Sequence, residues 1–166
     1  MDRPNLEVVV VSHGAQELLR RCLTSLEEHP PSVTMRVTVV DSGSPDGTPD
    51  MVERDFPGVN LIRRENIGFS AANNVVLEST DAPFVLLLNP DTEVYEGALD
   101  SSLARLEADS TIGMVGCKLV LPEGGIDHAA KRSFPTPLGA LGHFTGIGRG
   151  RSEEHTSELQ SRTQIS

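Results

Sequence analysis

The stretch Leu6 to Ser12, "LEVVVVS", decides the fold because it is a short, apolar and mostly β-branched run. Such a run is typical of a strand that is buried on both faces of a parallel sheet. The segment that follows, "AQELLRRCLTSLEEH" (15–29), has leucines and a cysteine at helical spacing and ends before Pro30 and Pro31. Strand and helix together predict the first half of a β-α-β unit.

The same alternation continues downstream. Further strands are predicted at Arg36–Asp41, Val59–Arg64, Pro83–Asn89 and Ile112–Leu121. Between them, helices are predicted with Thr48 as an N-cap and Pro49 at the first helical position, then from Ser70, and then from Gly97. The order predicts an α/β fold, a three-layer α/β/α sandwich with a mostly parallel sheet. The Gly- and Pro-rich sequence after Pro122 is predicted to be mostly loop.

Composition excludes several classes of protein. A chain of 166 residues with 37% hydrophobic residues is expected to form one domain with a real core. The net charge of −10 argues against non-specific binding of nucleic acid. No apolar run approaches the roughly 18 residues of a transmembrane helix, and the N-terminus does not resemble a signal peptide. Cys22 and Cys117 form neither a disulfide framework nor a metal motif, which favours a reducing cytoplasm.

The last segment, "RSEEHTSELQSRTQIS", differs from everything before it. It has two aliphatic residues and no usable periodicity, and it resembles the translation of a common short-read sequencing adapter. We therefore predict that 151–166 is a non-native or disordered tail and that the native domain lies within 1–150. The natural protein is expected to continue beyond Gly150 with a different sequence.

The segment "VLLLNPDTEV" (85–94) ends an apolar run on Asn89, Pro90 and Asp91. Pro90 cannot donate to a sheet ladder and biases Asn89 toward an extended conformation, so Asp91 is predicted to project past the strand end. An Asp oxygen there suits Mg²⁺ or Mn²⁺, and Asn89 suits a ribose hydroxyl or the orientation of the metal. Taken alone, the motif fits an ordinary turn better.

A second signal lies in "VVDSGSPDGT" (39–48). Asp41 ends a strand that is predicted to be buried, where a carboxylate needs partners. We predict that Asp41 accepts hydrogen bonds from a nucleobase N–H or a ribose. Asp46 is interpreted as the cap of its own turn.

The third signal is "RENIGFSAANN" (64–74). Asn66 and Gly68 precede a predicted helix, whose N-terminus is an anion site, and Arg63 or Arg64 would add positive charge near a diphosphate. The segment is neither a Walker loop nor the fingerprint G-x-G-x-x-G, so a nicotinamide cofactor is disfavoured. Because ligands bind beyond the carboxyl ends of parallel strands, all these polar groups are expected at one edge of the sheet.

Taken in order, "VVVVSHGAQELLRRCLTSL", "VVDSGSPDGT", "ENIGFSAANN" and "LLLNPDTEV" resemble the sequence blocks of family 2 glycosyltransferases, which have the GT-A fold. The resemblance covers Leu6 to about Gly150. The segment "GGIDHAAKRSFPTP" is similar to the one that follows the donor site in rhamnosyltransferase-like members, which build bacterial cell-wall and surface polysaccharides.

The resemblance implies an inverting transfer from a nucleotide-sugar donor, a dTDP- or UDP-sugar, to a hydroxyl of a glycan or lipid-linked acceptor, with a divalent cation. Asp91 matches the metal-binding final Asp of the family's D-x-D motif, and Asn89 stands in place of the first Asp. His13 departs from the Thr-Tyr or Ser-Tyr that the family usually has at the end of the first strand. The residues implied to bind the donor nucleotide are Ser12, His13, Asp41, Ser42, Asn66, Gly68 and Asn89.

The family's catalytic base lies well downstream of the D-x-D motif, so it is expected beyond residue 150, and this chain is expected to lack it. Weaker candidates for acceptor or phosphate contacts are His128, Lys131 and Arg132. We expect a cytoplasmic location, with peripheral association at the inner face of the membrane as an option.

Two other functions compete with this one. A sugar-nucleotide pyrophosphorylase needs a Gly-rich, basic loop after the first strand, and "SHGAQELLRRC" has only Gly14. A non-catalytic nucleotide-binding module remains open, because it predicts the same metal-dependent binding of a nucleoside diphosphate. A plain structural domain predicts no such binding.

Overall fold

The computed structural model describes residues 3–121, residue 125 and, as backbone, residues 163–165. The elements in chain order are β1 (Leu6–Ser12), α1 (Gln16–Glu28), β2 (Met35–Ser42), α2 (Thr48–Asp55), β3 (Asn60–Arg64), α3 (Phe69–Leu77), β4 (Phe84–Leu88), β5 (Thr92–Val94), α4 (Ala98–Glu107), β6 (Leu119–Val120) and β7 (Thr163–Ile165). The alternation predicted from the apolar runs is confirmed as far as β4. Across these described residues, no helix has the length and apolar character needed to cross a bilayer. The loop predicted after Pro122 lies outside the described residues, apart from residue 125.

The main sheet has four strands in the order β3-β2-β1-β4, and every pair is parallel. β1 therefore has a neighbour on each side. Its register sets Ser12 opposite Asp41 of β2, and Val10 opposite Leu88 of β4. Because parallel strands share one carboxyl edge, the ends of these strands meet where the sequence predicts the ligand site.

Helices cover both faces of the main sheet. Val8 and Val10 of β1 belong to the larger core, to which α1, α2 and α4 contribute their apolar side chains. Val9 and Val11 belong to a smaller core on the other face, together with Val76 of α3. Every residue of β1 is buried, which is why its sequence is a continuous apolar run and does not alternate. The predicted three-layer architecture is confirmed.

Glu7 is the one charged residue of this apolar strand, and it is 0% exposed. Its Oε1 accepts a hydrogen bond from Thr38 Oγ1 at 2.6 Å. Its Oε2 accepts from Arg36 Nε at 2.6 Å and from Thr80 Oγ1 at 3.1 Å. Both carboxylate oxygens therefore have partners, which is the condition for burying a charge. Since Thr80 follows α3, the network also fastens that loop to the sheet.

A second, smaller sheet has the order β5-β7-β6, with β5 parallel and β6 antiparallel to β7. β5 was not predicted, since a strand of three residues is too short to produce a readable alternation. β7 lies within the segment that the sequence predicts to be a non-native or disordered tail. Three residues of that segment form a strand, and the origin of the segment stays a prediction.

The predicted fifth strand, Ile112–Leu121, is wrong for most of its length, because only Leu119–Val120 is a strand. Gly113 and Gly116 interrupt the apolar run, and Met114 is 88% exposed. Glycine weakens a strand interior because it is conformationally costly to fix and has no side chain to pack. The apolar residues of 112–118 therefore belong to an irregular segment and not to a strand.

Replacement of Glu7 by alanine tests the buried network. The change leaves the buried hydroxyl of Thr38 without its acceptor and leaves Arg36 only Asp81, at 3.7 Å. The free energy of unfolding is therefore expected to fall by about 3 kcal/mol in urea denaturation at pH 7. The control is Glu17→Ala, because Glu17 makes only exposed contacts with Arg20 and Arg21. Its effect is expected to stay within about 0.5 kcal/mol. A loss below about 1 kcal/mol for Glu7→Ala would contradict the importance of the network.

Candidate functional site

Ser12 and Asp41 lie side by side at the carboxyl ends of β1 and β2. Their exposed fractions are 1% and 3%. Since side chains alternate along a strand, both lie on the sheet face of Val10 and Val39, toward α1. Asp41 Oδ2 accepts a hydrogen bond from the backbone N of Ser44 at 3.1 Å, which closes the loop after β2.

Three buried side-chain oxygens in the described part of the chain have no hydrogen-bond partner: Ser12 Oγ, Asp41 Oδ1 and Ser42 Oγ. All three belong to the predicted nucleotide-binding set and lie at the carboxyl edge of the sheet. An unpartnered buried polar group costs about 1–3 kcal/mol, and such groups are rare in folded proteins. Their concentration at one edge points to a polar ligand that supplies N–H and O–H groups.

His13 follows Ser12 and is exposed. Its Nδ1 lies 2.9 Å from the carbonyl oxygen of Ser42. A carbonyl can only accept, so Nδ1 carries the hydrogen and donates it. This tautomer leaves Nε2 as the ring nitrogen through which His13 can meet a ligand.

The loops after β1 and β2 are joined by side-chain hydrogen bonds. The backbone N of Gly14 donates to Ser44 Oγ at 2.9 Å, and that of Gln16 donates to Asp46 Oδ2 at 3.1 Å. Gln16 is the first residue of α1, and Ala15 before it provides no side-chain cap. Asp46 therefore caps α1 from the neighbouring loop. Sequence reasoning missed this role because Asp46 lies 30 residues from its partner.

Asp46 also caps α2, so its predicted role in its own turn holds, whereas the predicted N-cap role of Thr48 is wrong. Gly47, with φ +76°, precedes the helix, and Thr48 is the first helical residue. The backbone N and the hydroxyl of Thr48 both donate to Asp46 Oδ1. Thr48 is completely buried, so its hydroxyl needs this acceptor. The hydroxyl bond is the main reason that the pKa of Asp46 is lowered.

Asn66 lies against the loop after β2. A Cβ added to Gly43 would lie 3.6 Å from the carbonyl oxygen of Arg64 and 3.8 Å from the backbone N of Asn66, and Gly43 has φ +74°. Asn66 Oδ1 accepts a hydrogen bond from the backbone N of Gly68 at 3.1 Å. Gly68, with φ +87°, leads into α3, which begins at Phe69, one residue before the predicted start. The structure thus brings Asn66 beside the segment that follows Asp41.

The two candidate arginines have different surroundings. Arg63 pairs with Asp50 at 3.2 Å and with Glu53 at 2.8 Å, so it fastens β3 to α2. Arg64 is exposed and makes no ion pair with any described residue. Of the two, Arg64 is the one whose charge is available to a ligand.

Asn89 to Thr92 form a tight turn, with a hydrogen bond from the backbone N of Thr92 to the carbonyl oxygen of Asn89 at 3.2 Å. Pro90 suits the second position of such a turn because its φ is already fixed. The chain therefore turns into β5 and does not leave the sheet in a straight line. Asn89 is exposed and Asp91 is half-buried. Because β4 pairs with β1, this turn leaves the sheet at the same edge as Ser12.

The described residues contain no group of three or more His, Cys, Asp or Glu side chains that could hold a metal by themselves. The turn offers one carboxylate, from Asp91, and one amide, from Asn89. Mg²⁺ is commonly held by one or two carboxylates together with substrate phosphates and water. This donor set fits a cation that arrives with a diphosphate.

Other predicted groups lie outside the described residues. These are His128, Lys131, Arg132 and the base expected beyond residue 150. The described residues form the proposed donor side of the site only.

A parallel α/β sheet with unpartnered polar side chains at its carboxyl edge defines the class of open α/β proteins that bind a ligand at this edge. The match to a known protein family identifies the chain more specifically than its fold does. Residues 7–155 match the family described as Glycosyl transferase family 2, and the chain belongs to this family. The resemblance stated from the sequence blocks is confirmed.

Similar sequences include a rhamnosyltransferase and an O-antigen biosynthesis protein. The chain is 29% identical over 176 aligned residues to the N-acetylglucosaminyl-diphospho-decaprenol L-rhamnosyltransferase of Mycobacterium tuberculosis. That alignment covers 97% of this chain and 56% of the relative. The chain is 28% identical over 130 residues to the O-antigen biosynthesis protein RfbC of Myxococcus xanthus, which covers 76% of this chain and 10% of the relative. The chain thus spans about half the length of the mycobacterial relative.

Solved structures show the same fold. The mannosyltransferase PcManGT from Pyrobaculum calidifontis, in complex with GDP-Man and Mn²⁺, matches with a TM-score of 0.60 and 27% identity, over 73% of this chain and 36% of that one. S. aureus TarS, residues 1–349, matches with a TM-score of 0.54 and 23% identity, over 70% of this chain and 34% of that one. The predicted GT-A fold is confirmed.

Replacement of Thr48 by valine tests the capping role of Asp46. Valine keeps the shape and removes the hydroxyl that lowers the pKa of Asp46, so this pKa is expected to rise in a carboxyl NMR titration. A lowered pKa stabilises the fold above the usual value of 3.8, and this contribution is lost as the pH falls through the lower folded value. As the pH falls from about 5 to about 3, the range in which carboxyl groups normally titrate, the variant is therefore expected to lose less stability than the wild type.

The matched control for this titration is Thr111→Val. Thr111 lowers the pKa of Asp109 through the same kind of side-chain hydrogen bond, far from the site in sequence. This variant is expected to raise the pKa of Asp109 and to leave that of Asp46 unchanged. An unchanged pKa of Asp46 in Thr48→Val would show that the hydroxyl is not its main partner.

Proposed function

We propose that this chain is the donor-binding part of an inverting glycosyltransferase. It moves a sugar from a nucleoside diphosphate to a hydroxyl of a glycan or lipid-linked acceptor in the synthesis of bacterial cell-wall or surface polysaccharide. The observation that carries the proposal is the set of three unpartnered buried oxygens at the carboxyl edge of the sheet, in a chain that belongs to this family. The names of the mycobacterial and myxobacterial relatives support the class of acceptor.

Asp41 is proposed to read the base. Its Oδ2 accepts a hydrogen bond from the backbone N of Ser44, and its Oδ1 is buried and has no donor among the described residues. Uracil and thymine present a ring N–H to such an acceptor, as guanine does, whereas cytosine does not. A UDP- or dTDP-sugar fits this acceptor, and TarS, which has the same fold, was solved in complex with UDP. PcManGT, in complex with GDP-Man, makes a guanine nucleotide the alternative.

Asp91 is proposed to hold a divalent cation, Mg²⁺ or Mn²⁺, with Asn89 beside it. When bound, such a cation stabilises the negative charge that develops on the leaving diphosphate. Ser12 and Ser42 orient the nucleoside through their hydroxyls, and Arg64 supplies a positive charge at the end of β3. Asn66 and Gly68 precede α3 and lie near the loop after β2, and we propose that they contact the donor there.

Inversion requires a base that removes the proton of the acceptor hydroxyl as it attacks the anomeric carbon. We place this base, and the acceptor, outside the described residues. Because lipid-linked acceptors reside in a membrane, we propose that the whole protein works in the cytoplasm, associated with the inner face of the membrane.

Calorimetric titration of the chain with UDP and dTDP in the presence of Mn²⁺ tests the nucleotide site. Asp41→Asn retains only one acceptor oxygen, which cannot serve both Ser44 and the base. UDP affinity is therefore expected to fall by about 10- to 100-fold. CDP is expected to bind about tenfold more weakly than UDP, because it lacks the ring N–H.

The control for this titration is Asp50→Asn, an exposed carboxylate on α2 that should not affect UDP binding. Equal UDP affinity in Asp41→Asn would contradict the role of Asp41. Tighter binding of GDP than of UDP would replace the pyrimidine donor by the guanine one. If no nucleotide binds, the result would favour a plain structural domain over a nucleotide-binding protein.

Sugar transfer by a longer protein that contains this region separates the enzyme from a non-catalytic nucleotide-binding module. Asp91→Ala is expected to lower the transfer rate by about 10²- to 10³-fold, because the leaving diphosphate loses its counter-charge. Glu96→Ala, which removes an exposed carboxylate after β5, is the control and should leave the rate unchanged. Nucleotide binding without any transfer by the unmodified protein would favour the module.

A further inference from the structure

We propose that Ser25 of α1 is a positioning residue for Asp91, because its hydroxyl fixes β5 and so the turn that carries Asp91. The proposal rests on the proposed function, in which Asp91 holds the cation. It concerns only how the chain places Asp91.

The hydroxyl of Ser25 joins α1 to β5. Ser25 is 7% exposed. Its Oγ donates to the carbonyl oxygen of Cys22, within the same helix, at 2.7 Å. The same Oγ accepts a hydrogen bond from the backbone N of Val94 at 2.9 Å, across 69 residues of sequence. Since a hydroxyl has one proton and that proton faces the helix, its lone pairs are left for Val94.

Cys22 contacts the other side of the same turn. Its Sγ donates to the carbonyl oxygen of Asn89 at 3.7 Å. Cys22 is completely buried, so its thiol makes this contact from within the core. The helix thus holds the backbone just before Asp91 and three residues after it.

β5 is also held by its parallel pairing with β7. Among the described residues, the turn itself has one backbone hydrogen bond, between Thr92 and Asn89. The side chain of Val94 is 1% exposed and lies in the larger core, so its backbone N has little access to water. Loss of Ser25 Oγ would leave that N–H without its acceptor in a buried place, which is unfavourable. β5 would then shift or fray, and a displacement of about 1 Å is enough to weaken a site strongly.

The nucleotide pocket provides an internal reference. The described hydrogen bonds of the Ser25 hydroxyl go to Cys22 and Val94, and neither residue belongs to the pocket around Ser12 and Asp41. Removal of the hydroxyl should therefore weaken cation binding and leave nucleoside binding intact. A merely structural role for Ser25 would weaken both or neither.

The test measures two affinities of the full chain. The affinity for Mn²⁺ is measured with saturating UDP, from the electron paramagnetic resonance signal of free Mn²⁺. The affinity for uridine is measured by calorimetry. Ser25→Ala is expected to lower the Mn²⁺ affinity about tenfold and to change the uridine affinity less than about twofold. Ser25→Thr, which keeps the hydroxyl, is expected to retain both. The matched control is Ser102→Ala, because Ser102 Oγ bonds its own helix at Ala98 but does not face the turn.

Unchanged Mn²⁺ affinity in Ser25→Ala would overturn the proposal. So would a loss of uridine affinity in Ser25→Ala as large as its loss of Mn²⁺ affinity. A Mn²⁺ affinity in Ser25→Thr as low as in Ser25→Ala would also overturn it. Thermal unfolding establishes that each variant is folded. Should Ser25→Ala be unfolded, Ser25→Cys, which fills the same space with a weaker acceptor, provides the same comparison. Wild-type protein that binds uridine but no Mn²⁺ would overturn the role of Asp91 and this proposal with it. Wild-type protein that binds neither would overturn the proposed function itself.

Discussion

The parallel pairing of β1 with both β2 and β4 is the constraint on which the rest of the structure depends. It buries β1 on both faces, which requires the continuous apolar run, and it sets the strand ends in register at one edge. Helices cover the two faces, so the carboxyl edge is where polar side chains can meet a ligand. Ser12 and Asp41 come together there because of this register, although 28 residues separate them in the sequence.

Two buried carboxylates in the main sheet show what the open oxygen of Asp41 means. Glu7, near the opposite end of β1, has donors on both oxygens, from Arg36, Thr38 and Thr80. Asp41 has a donor on one oxygen and none on the other among the described residues. The same fold therefore surrounds one buried carboxylate completely and leaves the other incomplete. Structural need explains the first, whereas the second fits the proposed role of Asp41 as an acceptor for a ligand.

The sequence could predict the elements whose signal is local. β1, β2, β3 and β4 follow from apolar runs, and α1 follows from leucine spacing, because burial requires apolar residues at fixed intervals. It could not predict β5, which is three residues long, and it overestimated the strand at 112–121, where glycines interrupt the run. Candidate site residues were found because they end strands. The links that hold them, Asp46 to Gln16 and Ser25 to Val94, join residues 30 and 69 positions apart, which no local pattern records.

These long-range links give α1 a role that its sequence, an ordinary amphipathic helix, does not suggest. Its first residue is capped by Asp46, from the loop that also carries Asp41. Two turns further along, Cys22 and Ser25 contact the backbone on each side of Asp91. A helix is stiff over this length of about 14 Å. The spacing between the proposed nucleotide pocket and the proposed cation site is therefore set by one rigid element, which is how a site keeps its geometry before the ligand arrives.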